Sequence, residues 1–142
     1  MTKTKGIYVL FISVERDIPV KVGALGEIKF SKGKYTYVGS AQNGIERRVA
    51  RHLKREKKRF WHIDYLLTQK YVKVEKIFYK EAAKKEECKI AQALFRFGNP
   101  IRGFGCSDCS CQSHLFKIKK ELFSSLMQNL LKLRFGNLNN IC

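Results

Sequence analysis

Two side chains that can handle a phosphate or a proton, Arg48 and His52, lie four positions apart in the sequence. Apolar residues recur every four positions around them, which predicts an amphipathic helix over residues 44–56. His52 falls near the centre of the apolar stripe, and Arg48 lies on its flank. A guanidinium at the edge of a core favours a planar anionic partner. His52 is either a hydrogen-bonded core histidine or part of a site that also uses Arg48.

One carboxylate, Glu87, falls in the middle of the apolar face of a second predicted helix, over residues 84–97. A carboxylate in an apolar setting is unstable unless it meets a cation. Two interpretations stay open from the pattern alone. Glu87 forms a buried ion pair with one of the many basic residues, or it is a metal ligand or an active-site acid.

A Gly- and Cys-rich loop offers four soft ligands within nine residues, namely Cys106, Cys109, Cys111 and His114. Zinc prefers such ligands in a tetrahedral arrangement, so a structural zinc site is one interpretation. The single residue between Cys109 and Cys111 crowds one ion, however, and zinc modules usually close a longer loop between two ligand pairs. We therefore expect small residues to pack this loop beside a cleft, with no zinc in most molecules.

The chain carries a strong positive charge, +17 from 29 Lys and Arg against 12 Asp and Glu in 142 residues. Such a charge indicates a polyanionic partner, either nucleic acid or an acidic membrane surface. No apolar run approaches the roughly 18 residues of a membrane span, and no signal peptide opens the sequence. The odd count of five cysteines fits a reducing compartment. We expect an intracellular, cytoplasmic protein without a membrane partner, nucleoid-associated if it is prokaryotic.

The elements that must position these groups follow from hydrophobic periodicity. A nearly continuous apolar run predicts a β-strand over residues 6–14 that is buried on both faces. Further predicted strands cover 20–22, 27–30, 35–38 and 72–79, and further helices cover 60–67 and 119–135. The first four strands read as an antiparallel meander. The order β-β-β-β-α-α-β-α-α predicts a single α/β domain with a small mixed or antiparallel sheet flanked by helices.

The residues that carry the chemistry resemble the motifs of the GIY-YIG nuclease superfamily. Gly6-Ile7-Tyr8 is similar to the first motif on the first strand, and Tyr37-Val38-Gly39 is similar to the second motif on a later strand. Arg48 and His52 match the arginine of the family and its His/Tyr companion, and Glu87 matches the glutamate of the later helix. More narrowly, GSAQNGIERRVARHL and GFGCSDCSCQSHLF resemble a largely archaeal branch of that superfamily.

The resemblance also implies a division of the chain. It predicts a GIY-YIG-like domain over residues 1–118, with an inserted strand region over 15–33 and the Cys/His-rich loop over 103–114. Residues 119–142 form a C-terminal amphipathic helix and tail outside the resemblance. The wide apolar stripe of this helix packs on its own domain or forms a dimer contact. The insert departs from the short hairpin that is typical of the family, and it could narrow the substrate range or cover the cleft.

Metal-dependent hydrolysis of phosphodiester bonds is the activity that the resemblance implies. A divalent ion, Mg²⁺ or Mn²⁺, held by Glu87 would bridge the scissile phosphate. Arg48 would neutralise charge in the transition state. Tyr8 or Tyr37 would accept a proton from the attacking water, assisted by His52. A tyrosine has an ordinary pKa of about 10, so it needs nearby cations to act as a base near neutral pH.

The expected partner is DNA, with RNA left open, and basic side chains near the second motif would contact the backbone. These are Arg47, Arg51, Lys54, Arg55, Lys57 and Lys58. We expect Arg47, Arg51 and Lys54 to face solvent. The first hypothesis is a DNA endonuclease, and the alternative is a non-catalytic nucleic-acid-binding module with the same fold. A protein-interaction role for the last helix would leave Glu87 unexplained.

We expect nucleic-acid binding that is tight at low salt and weakens steeply as salt rises. A chain with a net charge of +17 releases many counterions when it neutralises phosphates. The measurement is the affinity for duplex DNA across a series of salt concentrations. A flat dependence, or no binding at low salt, would argue against both the nuclease and the binding-module hypotheses.

Overall fold

Eight strands and four α-helices occupy residues 5–106 and 111–137, the part of the chain that the computed structural model describes. The strands are β1 (Gly6–Val14), β2 (Ile18–Lys21), β3 (Glu27–Phe30), β4 (Gly33–Ala41), β5 (Val72–Glu81), β6 (Gly98–Pro100), β7 (Leu115–Ile118) and β8 (Gly136–Asn137). The helices are α1 (Ile45–Leu53), α2 (His62–Leu67), α3 (Glu86–Leu94) and α4 (Phe123–Lys132). Six strands form one antiparallel sheet in the order β6-β7-β4-β1-β5-β8, and this confirms the predicted α/β fold.

β1 lies at the centre of the sheet and pairs with β4 on one side and with β5 on the other. Its side chains alternate between two hydrophobic clusters, as the twofold period of a strand requires. Tyr8 and Leu10 belong to one cluster, and Ile7 and Val9 belong to the other. The prediction that this strand is buried on both faces is confirmed. Each face of the sheet consequently needs its own cover.

Different elements cover the two faces. The face that carries Tyr8 is covered by α1, α2 and the β2–β3 hairpin, whereas α3 and α4 cover the opposite face. Leu126 and Leu130 of α4 are both about 1% exposed in the second cluster, so the apolar stripe of the last helix packs on its own domain. None of the helices in the described ranges has the length and apolarity needed to cross a bilayer.

Three details of the predicted elements are wrong. The four early strands are not one meander, because β2 and β3 pair only with each other and β4 returns directly to β1. The strands β6, β7 and β8 have no counterpart among the predicted elements. The last helix begins at Phe123 rather than residue 119, after a short 3₁₀ turn. Strands of two to four residues are stabilised by their neighbours in the sheet, so their own sequences carry little signal.

A buried carboxylate, Asp64, fastens the connection between α1 and α2. Its two oxygens accept hydrogen bonds from Arg51 at 2.8 and 2.9 Å. Oδ2 also accepts the backbone N–H groups of Phe60 at 2.9 Å and Trp61 at 3.0 Å. Burial by itself raises the pKa of Asp64, but the hydrogen bonds from Arg51 and the two backbone groups outweigh it, so the pKa lies below its ordinary value. The prediction that Arg51 faces solvent is wrong.

Two further basic residues from the predicted nucleic-acid contacts donate hydrogen bonds to backbone carbonyls. The Lys57 ammonium donates to the carbonyls of His52 at 2.8 Å and Arg51 at 3.1 Å, which stabilises the C-terminal end of α1. Arg55 donates to the carbonyl of Gln69 at 2.6 Å. Burial lowers the pKa of Lys57 to about 8. The helical wheel of α1 could not reveal these contacts, since both donors follow in the chain only after the helix has ended.

We predict that Asp64→Asn lowers the free energy of unfolding at neutral pH by about 3 kcal/mol, because Arg51 loses its charged partner. The pKa of Asp64 is depressed in the folded state, so its contribution is present above the ordinary value of about 3.9 and is lost as the pH falls through the folded-state value. Urea unfolding at a series of pH values measures both effects.

The matched control is Glu75→Gln, which removes the carboxylate of an exposed ion pair with Lys34 and should change stability little. The difference between wild type and Asp64→Asn should shrink below about pH 4. A pH-independent difference would contradict the electrostatic explanation.

Candidate functional site

A cavity of about 410 Å³ lies beside the last residues of β4, where β4 extends beyond the neighbouring strand β7. β7 begins at Leu115, opposite Tyr37, so residues 38–41 of β4 extend beyond it. Glu87 in the first turn of α3 and Lys84, two residues before α3, line one side of the cavity. Trp61 and Arg48 line it on the side of α1 and α2. The cavity therefore draws residues from both faces of the sheet.

The predicted catalytic residues come together at this cavity. Tyr8, Tyr37, Arg48 and Glu87 line it, and His52 lies directly behind Tyr8. The Tyr8 hydroxyl is 2.7 Å from Nε2 of His52, and both side chains are buried. Their sequence separation of 44 residues is bridged by the packing of α1 on β1.

His52 is neutral in this environment. Burial lowers its pKa to about 3, and the nearby cation Lys57 acts in the same direction. A neutral imidazole carries one donor and one acceptor nitrogen, so Nε2 can exchange a proton with the Tyr8 hydroxyl. Nδ1 is buried and has no hydrogen-bond partner among the residues that the structure describes. His52 is therefore only half satisfied as a core histidine, and a buried unsatisfied nitrogen calls for a functional explanation.

The two tyrosines are protonated in the protein alone. Burial raises the pKa of Tyr8 above its ordinary value, and Arg48 opposes this shift without cancelling it. Burial also raises the pKa of Tyr37, where the negative charge of Glu87 adds to the effect. The cation that a tyrosine base was expected to need is thus present in Arg48. It is insufficient by itself, so a tyrosinate requires further positive charge.

Arg48 is held in place by the backbone and by an aromatic ring. Nη1 donates to the carbonyl of Ser40 on β4 at 3.0 Å. The guanidinium carbon lies 4.4 Å from the centre of the Trp61 ring, and that of Arg51 lies 4.3 Å from the same ring. A preorganised arginine of this kind loses little side-chain freedom when it binds an anion. Arg48 therefore faces the cavity from the flank of α1, as the helical pattern predicts.

Glu87 lies in the first turn of α3, where the helix dipole stabilises a negative charge. Its side chain is only 13% exposed. Oε1 is 3.4 Å from Nδ1 of His114, which precedes β7 and also lines the cavity. A histidine from the Cys/His loop thus lies beside Glu87, a contact between distant parts of the chain.

Two glycines allow this arrangement. A Cβ at Gly39 would lie 2.4 Å from Cζ and the hydroxyl oxygen of Tyr8, which is its partner across the strands. Gly44 has a φ of 120°, in the region that favours glycine, and it ends the turn that leads from β4 into α1. Tyr8 and α1 can approach β4 closely because these two positions lack side chains.

The soft ligands assemble differently from the predicted set. Ligand atoms of Cys88, Cys111 and His114 all lie within 4.8 Å of one another. Cys106 does not belong to this group, and Cys109 lies outside the described residues. Cys88 was not among the predicted ligands because it lies on α3, 15 residues before the Cys/His loop begins at residue 103. Its position directly after Glu87 was the only available signal.

Exposed groups around the cavity complete the site. Trp61 is 39% exposed and Phe60 is 73% exposed, and both line the cavity. Phe60 was not among the predicted functional residues, since a single exposed aromatic residue carries no pattern. Of the predicted nucleic-acid contacts, four are exposed basic side chains, namely Arg47, Lys54, Arg55 and Lys58.

Comparison with known proteins gives one match. A family model described as a domain of unknown function, DUF123, matches residues 7–134. The matched range contains the whole cavity lining and α4. A search of the curated proteins and of the solved structures finds no match.

We predict that Gly39→Ala lowers the free energy of unfolding by about 1–3 kcal/mol, because the added methyl group overlaps the Tyr8 ring. In a Tyr8→Leu background the shorter side chain leaves room, so the same substitution should cost much less. Chemical denaturation of the four proteins in this double-mutant cycle gives the coupling energy. Ser40→Ala, the next position on β4, is the control and should have little effect. Equal costs for Gly39→Ala in both backgrounds would contradict the close approach.

Proposed function

The chain belongs to the family described as domain of unknown function DUF123, and we propose that it is a metal-dependent endonuclease that hydrolyses phosphodiester bonds in DNA. The observation that carries the proposal is the convergence of Tyr8, Arg48, His52 and Glu87 at one cavity. These are the residues whose order and element types resemble the GIY-YIG nuclease superfamily. Their convergence is what that resemblance requires, and it supports the proposal independently of any single motif.

Tyr8 and His52 form the proton path of the proposed reaction. As the oxygen of a water molecule forms a bond to phosphorus, its proton passes to the Tyr8 oxygen, and the Tyr8 proton passes to Nε2 of His52. The 2.7 Å separation permits the second transfer without movement of either ring. His52 is neutral before the attack, so Nε2 carries the lone pair that takes the proton, and its low pKa favours rapid release of that proton. The bond from phosphorus to the leaving oxygen breaks, and that oxygen takes up a proton, either the one that His52 releases or one from solvent.

Arg48 stabilises the charge that develops on the phosphate during the attack. Its contacts with the Ser40 carbonyl and the Trp61 ring hold the guanidinium at the cavity wall. A fixed donor that meets negative charge in the transition state contributes more than a mobile one, because no reorganisation is needed at the moment of reaction. Lysine in this position would lack the planar fork that matches phosphate oxygens.

Glu87 is the residue that would hold the divalent ion. A carboxylate oxygen at a solvent-connected cavity suits Mg²⁺ or Mn²⁺, which bind through one or two carboxylates together with water and substrate phosphates. A bound ion supplies Lewis-acid stabilisation of the leaving oxygen and positive charge that opposes the effect of burial on the pKa of Tyr8. Glu87 itself is oriented by the first turn of α3 and by His114.

The substrate would lie across the exposed basic and aromatic groups beside the cavity. Arg47, Lys54 and Lys58 are exposed and suit a phosphate backbone. Phe60 and Trp61 are positioned to stack on bases near the scissile bond. An intracellular location, with nucleoid association in a prokaryote, accords with such a substrate. A dimer through the last helix would leave this surface unobstructed.

A non-catalytic nucleic-acid-binding module is the second candidate. The specific observation in its favour is the deep burial of Tyr8, which raises its pKa, so that the deprotonated form is scarce near neutral pH. The basic surface would remain useful to such a protein. The two candidates differ in whether Glu87 and Arg48 affect cleavage or only the stability of the fold.

We predict that Glu87→Gln abolishes Mg²⁺- or Mn²⁺-dependent cleavage and that Arg48→Ala slows it by about 10²–10³-fold, the scale of one transition-state contact. DNA binding should change little in either variant, since many other basic groups meet the backbone. The assay is cleavage of duplex, nicked, flap and branched DNA with each ion, and EDTA should stop it.

The chain offers a matched control for each variant. Glu86→Gln alters the neighbouring carboxylate on α3, whose nearby partner is Lys89, and Arg47→Ala removes an exposed neighbour of Arg48. Both controls should retain cleavage. Unchanged cleavage in Glu87→Gln would refute its catalytic assignment. A large fall in melting temperature without a specific loss of cleavage would instead indicate a structural ion pair.

A further inference from the structure

We propose that Cys88, Cys111 and His114 bind a zinc ion that joins the Cys/His loop to the first turns of α3. Their ligand atoms lie within 4.8 Å of one another. In a tetrahedral site with Zn–S bonds of about 2.3 Å, two ligand atoms are separated by roughly 3.8 Å. An approach of about 1 Å is therefore sufficient, and side-chain rotation can provide it.

The backbone already holds the ligands from two directions. His114 donates its N–H to the carbonyl of Phe104 at 2.8 Å, and its own carbonyl accepts the N–H of Val38 at 3.0 Å. Next to Cys111, the carbonyl of Gln112 accepts the N–H of Gly103 at 2.8 Å. These bonds fasten the end of the loop to its own beginning and to β4. The helix α3 carries the third ligand independently of them.

The short spacing between Cys109 and Cys111 does not prevent zinc binding by the three residues Cys88, Cys111 and His114. The spacing of Cys109 and Cys111 is cramped only if both thiols bind the same ion. In the structure the second thiol comes from α3, and no two of the three ligands are closer than three residues apart in sequence. The proposed zinc site therefore differs from the expectation, drawn from the sequence, that the loop holds no zinc.

The donor set selects the ion. Two thiolates and an imidazole favour zinc over Mg²⁺ or Mn²⁺, which prefer oxygen ligands. Three protein ligands with a solvent molecule as the fourth is the coordination of open zinc sites, including sites with two cysteines and one histidine. The proposed zinc site is thus chemically separate from the oxygen ligand Glu87, although the two are adjacent in sequence.

Zinc at this site would position Glu87. Glu87 precedes Cys88 in the chain, and its Oε1 is 3.4 Å from Nδ1 of His114. Fixing both neighbours limits the movement of the carboxylate at the cavity. This consequence rests on the proposed function, whereas zinc binding itself does not.

Metal analysis of the full chain, purified without chelator, tests the proposal. We expect about one zinc per chain in the wild type, and a loss of zinc affinity of at least 10²-fold in Cys88→Ser, more than an outer group would contribute. Cys106→Ser is the matched control and should retain the metal, because Cys106 is not in the group. Replacing zinc with Co²⁺ gives a second readout, a thiolate-to-cobalt absorption band that should weaken in Cys88→Ser only. Circular dichroism verifies that each variant is folded.

Three outcomes would overturn the proposal. The first is a wild type without zinc that also fails to bind added zinc. The second is loss of zinc in Cys106→Ser with retention in Cys88→Ser, which would assign the ion to the loop alone. The third is a Cys88–Cys111 disulfide, detected as thiols that react only after reduction. Zinc binding without cleavage would refute the proposed nuclease activity and leave the zinc site supported. Cleavage by a protein that binds no zinc would refute the zinc site and leave the nuclease activity supported.

Discussion

The burial of β1 on both faces is the constraint from which the other features follow. A strand with sheet partners on both sides must alternate its side chains between two cores, and each core needs its own helices. Tyr8 belongs to the core under α1, where it meets His52. The start of α3, from the opposite face, reaches the cavity at the end of the sheet. The two-sided packing of one strand thus brings a buried hydroxyl, an imidazole and a carboxylate to one place.

The same burial determines the charges at the cavity. His52 remains neutral and Tyr8 remains protonated because water is excluded from both, so the two rings share a hydrogen bond without net charge. The charged side chains Arg48 and Glu87 line the cavity itself, Arg48 on the side of α1 and Glu87 on the side of α3. This division keeps the hydrogen-bonded pair of rings away from water and leaves the ionic groups at the cavity.

Local periodicity explains which parts could be predicted from the sequence. The apolar run of β1 and the stripe of α1 identified the central strand and the helix with Arg48 and His52. The contacts that escaped prediction join distant segments. Asp64 meets Arg51 only after the chain turns between two helices, and Cys88 meets Cys111 only after α3 packs beside the loop. The short strands were missed for the same reason, since their partners in the sheet define them.

Trp61 gives the cavity an optical property. It is the only tryptophan in the chain, and it stands at the cavity wall beneath two guanidinium groups. Light at the long-wavelength edge of the protein absorption band excites indole and not tyrosine. Under this excitation the intrinsic fluorescence of the protein comes from Trp61 alone. A ligand that displaces either arginine or stacks on the ring would alter the emission directly. Occupancy of the cavity can therefore be followed in unlabelled wild-type protein, without an attached reporter group.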